Sequence, residues 1–223
     1  MNKPNFFIAG APKCGTTAMA EYLRRHPNIF MSLPKEPHYF AEDFPKIRSI
    51  QTLKQYMELF NQVTPEHLIV GEASTTYLYS SVALKNIYQF NQDAKILVML
   101  RNPVDLVYSL HSHHLYNGFE AEKNFKIAWK MQDLRRNGLS IPKTCREPEK
   151  LQYKQVALLG AQIEKLLAIF PPQQVKIVLF DDFLVSPKAV YEEILSFMNI
   201  PSDGRLEFPK INESKTYKLE WLG

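Results

Sequence analysis

Phe6-Phe7-Ile8-Ala9-Gly10-Ala11-Pro12-Lys13-Cys14-Gly15-Thr16-Thr17 is the stretch that decides the fold. An apolar run gives way to a loop bounded by glycines. Ala18, Met19, Tyr22 and Leu23 then recur at helical spacing until His26-Pro27. Residues 5–9 are predicted as a short buried strand and residues 16–26 as a helix. A strand, a glycine loop and a helix together make a phosphate cradle, because successive backbone N–H groups and a helix N-terminus point at one anion. Gly10 and Gly15 have the spacing of G-x-x-x-x-G-K-[ST], and Thr17 takes the Ser/Thr place. Thr16 stands where the lysine belongs, and the lysine has moved into the loop as Lys13. The usual lysine reaches terminal phosphates beside magnesium. Lys13 would instead reach the innermost phosphate and its first bridging oxygen. No aspartate suited to hold a metal ends a strand. The loop is therefore predicted to take a mono- or diphosphate-like group without a metal ion, through Lys13, Cys14, Gly15, Thr16 and Thr17.

Working outward, Leu68-Ile69-Val70, Lys95–Leu100 and Val175–Phe180 are the further predicted strands. Lys95–Leu100 is the clearest, an apolar run of the kind buried on both faces of a parallel sheet. Helices are predicted over 52–60, 81–91, 103–117, 155–169 and 187–198, with one more near 123–136 in a polar stretch. Pro103 suits a first helical turn. Residues 30–48, with Pro34, Pro37 and Pro45, are predicted as loop. Alternating strands and helices imply right-handed crossovers and an α/β fold: a parallel sheet with helices on both faces, a three-layer sandwich like that of the P-loop nucleotide hydrolases. Ligands of such sheets bind at the carboxyl ends of the strands. Three features fall there: the loop after the first strand, the segment after Leu68–Val70, and Arg101.

The bulk composition narrows the class. The 223 residues are 45% hydrophobic and 22% charged, ordinary for a globular chain with a real core. A net charge of +4 is too mild to argue for nucleic acid and suits anionic ligands. No run of about 18 apolar residues is present to span a membrane. Phe6–Ala9 is too short for a signal-peptide core. Cys14 and Cys145 form no framework, so reduced thiols and a cytoplasmic setting are expected. A Golgi lumen is the alternative if an upstream anchor has been removed. The sequence sets no oligomeric state.

At this point the sequence resembles a family. Ala11–Thr17 looks like the 5′-phosphosulfate loop of sulfotransferases that use 3′-phosphoadenosine-5′-phosphosulfate. Arg101-Asn102-Pro103-Val104-Asp105-Leu106-Val107-Tyr108-Ser109 looks like their 3′-phosphate motif, whose arginine and serine fall on Arg101 and Ser109. Lys35-Glu36-Pro37-His38-Tyr39-Phe40 resembles the glycosaminoglycan-type branch, where the aligned glutamate is the base and the histidine lies beside the acceptor. Gly71-Glu72-Ala73-Ser74-Thr75-Thr76-Tyr77 resembles that branch's acidic, Ser/Thr, proline, tyrosine segment. Here Ala73 stands where many members carry lysine, and Thr75 replaces the usual proline. Leu159-Gly160, Asp181-Asp182-Phe183 and Asn212-Glu213-Ser214 have the flavour of bacterial members. The resemblance implies one sulfotransferase domain over residues 1–223, with the nucleotide as cosubstrate and no metal. It implies an acceptor hydroxyl or amine on a carbohydrate or small molecule. Glu36, Lys13 and His38 become the catalytic candidates. Members usually continue past a segment like Asn212–Leu222 into a basic lid over the nucleotide. The chain's end is thus expected to reflect truncation, unless Lys215, Tyr217 and Lys218 do part of that work.

Weaker features complete the reading. Glu72 is either a second acid or base or an ordinary strand-end residue. His111, His113 and His114 are expected on a helix surface or lining the acceptor site rather than on a metal. Arg135, Arg136, Lys143 and Arg146 read as a solvated basic face that could steer an anion. Tyr39 and Tyr77 could line the acceptor pocket. Cys14, near a helix N-terminus and Lys13, has the setting of a low-pKa thiol, incidental to transfer. Two competing readings differ in class. A nucleotide kinase should have lysine at position 16 and acidic metal ligands. A non-catalytic nucleotide-binding scaffold should bind without transferring.

Overall fold

The structure is a computed structural model and describes residues 3–211. In chain order the elements are β1 (Phe6–Gly10), α1 (Thr16–Arg24), β2 (Ile29–Met31), α2 (Leu53–Glu58), β3 (Ile69–Ala73), α3 (Ala83–Phe90), β4 (Lys95–Leu100), α4 (Pro103–Tyr116), α5 (Phe125–Lys130), α6 (Gln132–Arg136), α7 (Tyr153–Ala157), α8 (Leu159–Leu167), β5 (Val175–Leu179), α9 (Phe180–Val185) and α10 (Pro187–Met198). The described chain divides into two compact units. One holds the residues through Arg101 together with Gly160–Ile211, and the other holds Asn102–Leu159.

The first unit is built on a five-stranded sheet in the order β2-β3-β1-β4-β5. Every neighbouring pair is parallel. Phe6–Ala9 of β1 and Ile96–Met99 of β4 are all fully buried. Successive strand side chains point to opposite faces, so unbroken burial requires cover on both faces. The chain leaves β1 toward β2 on one side and later crosses to β4 on the other. β1 and β4 are therefore the neighbours at which the winding reverses, and the crevice at their carboxyl ends is the expected ligand site. Local chemistry sets the helix ends. Thr52 and Gln55 form a reciprocal capping box at the start of α2. Asn199 takes a left-handed conformation, φ 60°, to end α10. Among the described residues no helix is long and apolar enough to cross a membrane.

The second unit packs α4 on α7. Asn102 caps α4 by accepting from the Val104 N–H at 2.9 Å, immediately ahead of Pro103 in the first turn. The unit's polar centre is Glu120, which accepts both Arg135 guanidinium nitrogens at 2.7 and 2.6 Å and the Tyr153 hydroxyl at 2.9 Å. Burial alone would raise the Glu120 carboxyl, but the Arg135 hydrogen bonds and the Glu122 N–H outweigh it and hold it below its usual range. Arg135 is thus a buried structural residue and not part of a solvated basic face. Lys143 and Arg146 are exposed as expected. The histidines also divide. His111 and His114 are buried against Tyr153, and only His113 is exposed.

The remaining differences from the sequence reading have local causes. β2 is only three residues long and, among the described residues, pairs solely with β3, so it hid at the start of the stretch predicted as loop. The helix near 123–136 is two helices joined at Met131, and the one over 155–169 is broken at Leu158, where ψ is 53°. α9 begins directly at Phe180, and Asp181 and Asp182 in its first turn favour that end of a helix dipole.

Candidate active site

Five segments follow the five strands at the carboxyl end of the sheet. The cradle after β1 begins at Gly10, whose φ is 158°, and ends at Gly15, which caps α1 with φ 81°. Both positions demand glycine for a second reason. A Cβ on Gly15 would lie 2.9 Å from the Phe180 ring, and one on Gly10 would lie 2.9 Å from the Leu78 Cβ and 3.2 Å from the Thr75 carbonyl oxygen. Between them, the Ala11 N–H is fixed on the Met99 carbonyl at 2.7 Å, and Lys13 adopts φ 63°. Thr16 is buried, and Thr17 is partly open.

Lys13 and Arg101 meet here. Burial lowers the Lys13 ammonium's pKa from its usual value, and the Arg101 guanidinium lowers it further. Arg101 follows β4 and lies over the Phe180 ring, 5.1 Å from its centroid. Among the described residues no carboxylate pairs with either cation. Two like charges held together without a counter-charge make a site whose electrostatics call for an anion. Cys14, by contrast, is no low-pKa thiol. Burial pushes it up to about 12, against the pull of Arg101, the Ala11 backbone and Lys13.

The second cluster joins the segment after β2 to the segment after β3. Glu36 and His38 both have left-handed backbones, φ 64° and 53°. With Lys13 they make three of the five non-glycine residues with positive φ among the described residues, and these three are the catalytic candidates. Glu36 is pinned through its N–H to the Ala73 carbonyl at 3.0 Å. Its carboxylate accepts from Lys35 Nζ at 2.8 Å and from the Thr75 hydroxyl at 3.0 Å. His38 Nε2 lies 3.3 Å from the same carboxylate, and its Nδ1 lies 2.5 Å from the Thr76 hydroxyl. Thr76 donating to Nδ1 and Nε2–H donating to Glu36 satisfies both contacts with one neutral tautomer. The Glu36 side chain remains 31% exposed against 8% for His38, so Glu36 is the more open of the two to an acceptor.

Glu72 sits within β3 and is fully buried. Tyr56 and Tyr77 donate to Oε1 at 3.0 and 2.7 Å, and Ser74 donates to Oε2 at 2.8 Å. Burial raises its pKa from 4.5 to about 7, and these hydroxyls pull the other way. The folded protein therefore holds a proton that the unfolded chain has released between those two values. Stability conferred by that proton is complete below about 4.5 and is lost as pH rises through about 7, a change of about 3 kcal/mol. Glu72→Gln should remove this slope. Urea denaturation at pH 5 and pH 8 should show the variant gaining on wild type at the higher pH. A stability difference equal at both pH values would contradict the shifted carboxyl.

The structure thus brings Lys13, Cys14, Gly15, Thr16, Thr17 and Arg101 to the carboxyl end of the sheet, with Glu36 and His38 at the same end. Ser109 lies half-buried on α4 in the second unit. Tyr77 is fully buried and lines no open pocket, whereas Tyr39 is partly exposed and stacks on Tyr56 at 4.5 Å. Lys35, Thr75, Thr76 and Phe180 had no role assigned from sequence. The hydroxyl pair Thr75-Thr76 where a proline is usual was the available signal. Among the described residues no group of three or more His, Cys, Asp or Glu side chains is arranged to hold a metal.

Comparison with known proteins gives a consistent identity. The family described as "Sulfotransferase domain" matches residues 3–215. The crystal structure of a sulfotransferase from Alicyclobacillus acidocaldarius matches with a TM-score of 0.85 and 32% identity, covering 96% of this chain and 87% of that one. Carbohydrate sulfotransferase 15 of Rattus norvegicus is 24% identical over 245 residues, which cover 88% of this chain and 44% of the relative. Heparan sulfate glucosamine 3-O-sulfotransferase 5 of Mus musculus is 25% identical over 214 residues, covering 96% of this chain and 56% of the relative. The chain spans about half the length of these curated relatives. With the match running through nearly all of its length, the chain belongs to the sulfotransferase-domain family.

Proposed function

We propose that this chain transfers a sulfuryl group from 3′-phosphoadenosine-5′-phosphosulfate to a hydroxyl, or an amine, of a carbohydrate or small-molecule acceptor. The observation that carries the reading is the Lys13–Arg101 pair, two adjacent cations with no carboxylate partner among the described residues, set beside a glycine cradle. The family match and the two carbohydrate-directed relatives support the reaction class and the acceptor class. The two units are read as one sulfotransferase domain, since the family match runs through both.

The roles follow from charge placement. The nucleotide supplies an activated sulfuryl group on a phosphate oxygen. The cradle amides and Lys13 hold the 5′-phosphate and offset the charge that develops on that oxygen as it leaves. Arg101 suits the 3′-phosphate because a guanidinium offers paired donors and keeps its charge. Ser109 is assigned to the same phosphate by its sequence motif. Glu36 takes the acceptor proton, and His38 holds the carboxylate in place. A transferred group with less charge than a phosphoryl group has less need of a divalent ion.

Titration with adenosine 3′,5′-bisphosphate, ATP and ATP with magnesium tests the proposal. Tight binding of the bisphosphate, unaffected by a chelator, is the expected result. Preference for magnesium-ATP would point to a kinase. Bisphosphate binding with no transfer to hydroxyl or amine acceptors would leave a scaffold.

A further inference from the structure

Glu72 takes no part in the transfer steps above, yet its carboxylate lies behind the loop that carries them. Ser74 Oγ donates to Glu72 and accepts the His38 N–H at 3.1 Å. The Tyr77 hydroxyl donates to Glu72 and accepts the Phe40 N–H at 3.4 Å. Each hydroxyl has a single proton. In its ionised form, above about pH 7, Glu72 is acceptor-only, so it draws both protons toward itself and leaves a lone pair on each oxygen for a loop amide. The amides so held are those of left-handed His38 and of Phe40, and His38 lies two positions after left-handed Glu36. Such backbone persists only where its surroundings over-determine it. Phe40 adds an apolar anchor, with rings of Phe7, Tyr56, Tyr77 and Phe90 about it.

We propose that Glu72 is a positioning residue: acting through the Ser74 and Tyr77 hydroxyls, it fixes the backbone of residues 36–40 and so aims the Glu36 carboxylate and the His38 ring. The proposal rests on the reading of Glu36 as base. It assigns a purpose to a buried acid that the fold alone does not require, since an apolar residue would fill β3 without desolvating a charge. It also accounts for how Ser74, Thr75, Thr76 and Tyr77 divide between bonds to Glu72 and direct bonds to the Glu36 and His38 side chains. Ser74 and Tyr77 face the acid, while Thr75 and Thr76 touch Glu36 and His38 directly.

The test combines hydrogen exchange with kinetics in Ser74→Ala, Tyr77→Phe and Glu72→Gln proteins. Exchange of the His38 amide should quicken about tenfold in Ser74→Ala, as loss of one hydrogen bond allows, and that of the Phe40 amide should do so in Tyr77→Phe. In each variant kcat should fall by roughly ten- to a hundredfold, because a displaced reacting group is costly. The Kd for adenosine 3′,5′-bisphosphate should stay within about twofold, since the cradle is untouched. A folded Ser74→Ala protein with unaltered His38 exchange overturns the proposal. So does faster exchange with wild-type kcat, which would make the network merely structural. Should Ser74→Ala fail to fold, Glu72→Gln keeps the side-chain volume and supplies the same readouts. Absence of transfer in the wild-type protein would count against the activity, whereas the exchange rates report the bond network without any acceptor.

Discussion

Lys13→Ala is expected to fold and to lose about 10²–10³-fold in kcat, the loss typical when one preorganised charge stabiliser is removed. Lys13 sits in a left-handed turn, partly buried and next to another cation. The arrangement is unfavourable in itself, because burial and Arg101 both disfavour the charged amine. Evolution of negative charge on the leaving oxygen relieves both penalties at once, so the interaction strengthens from ground state to transition state. The loss should therefore fall mainly on kcat, with a smaller rise in the Kd for adenosine 3′,5′-bisphosphate. Lys13→Arg should restore little, since a planar guanidinium does not replace a compact ammonium in a tight loop. The pH sign is also fixed. Burial and Arg101 lower the Lys13 pKa, and a bound anion favours the protonated amine. Nucleotide affinity in wild type should then weaken as pH rises through the lowered Lys13 value, and Lys13→Ala should lack that alkaline limb. Calorimetric titration and single-turnover transfer measure both effects. Near-wild-type transfer by Lys13→Ala would remove the residue from the mechanism.

The cradle was legible in the sequence because everything it needs is local. Strand, glycine spacing and helix lie within twenty residues, and Gly15 must be glycine for a backbone reason that spacing alone suggests. Arg101 was legible because it ends the most apolar strand. The acid–base cluster was legible only through resemblance. What makes Glu36 and His38 special is their left-handed backbone and their bonds to Thr75 and Thr76, 39 and 38 residues away. No periodicity carries that information. Phe180 beneath Gly15 and Arg101 is likewise a contact between distant segments. Arg135 shows the converse error. A basic run looks solvated until the fold supplies Glu120, 15 residues away, as a buried partner. The first break between the two units, at Arg101 and Asn102, falls inside a strand-to-helix connection with no linker composition to mark it.

Glu36→Gln should cost about 10²–10⁴-fold in kcat, the range for loss of a general base, with nucleotide binding nearly unchanged. The side chain keeps its size, so the loop can keep its course, but two things change. An amide nitrogen cannot take the acceptor proton. It is also a donor placed among donors, since Lys35, Thr75 and His38 all point at the present carboxylate. The second effect alone would misplace the group, so a control is needed. Thr75→Val removes one of those donors while leaving the base, and should lower kcat far less, about tenfold at most for one hydrogen bond. His38→Asn should fall between the two if His38 orients Glu36, and should match Glu36→Gln if His38 is itself the base. The order Thr75→Val, His38→Asn, Glu36→Gln in increasing loss, at constant affinity for adenosine 3′,5′-bisphosphate, is the expected result in steady-state assays. A Glu36→Gln protein that binds nucleotide and transfers at the wild-type rate would shift the base to another group, and His38→Asn would then show the larger loss.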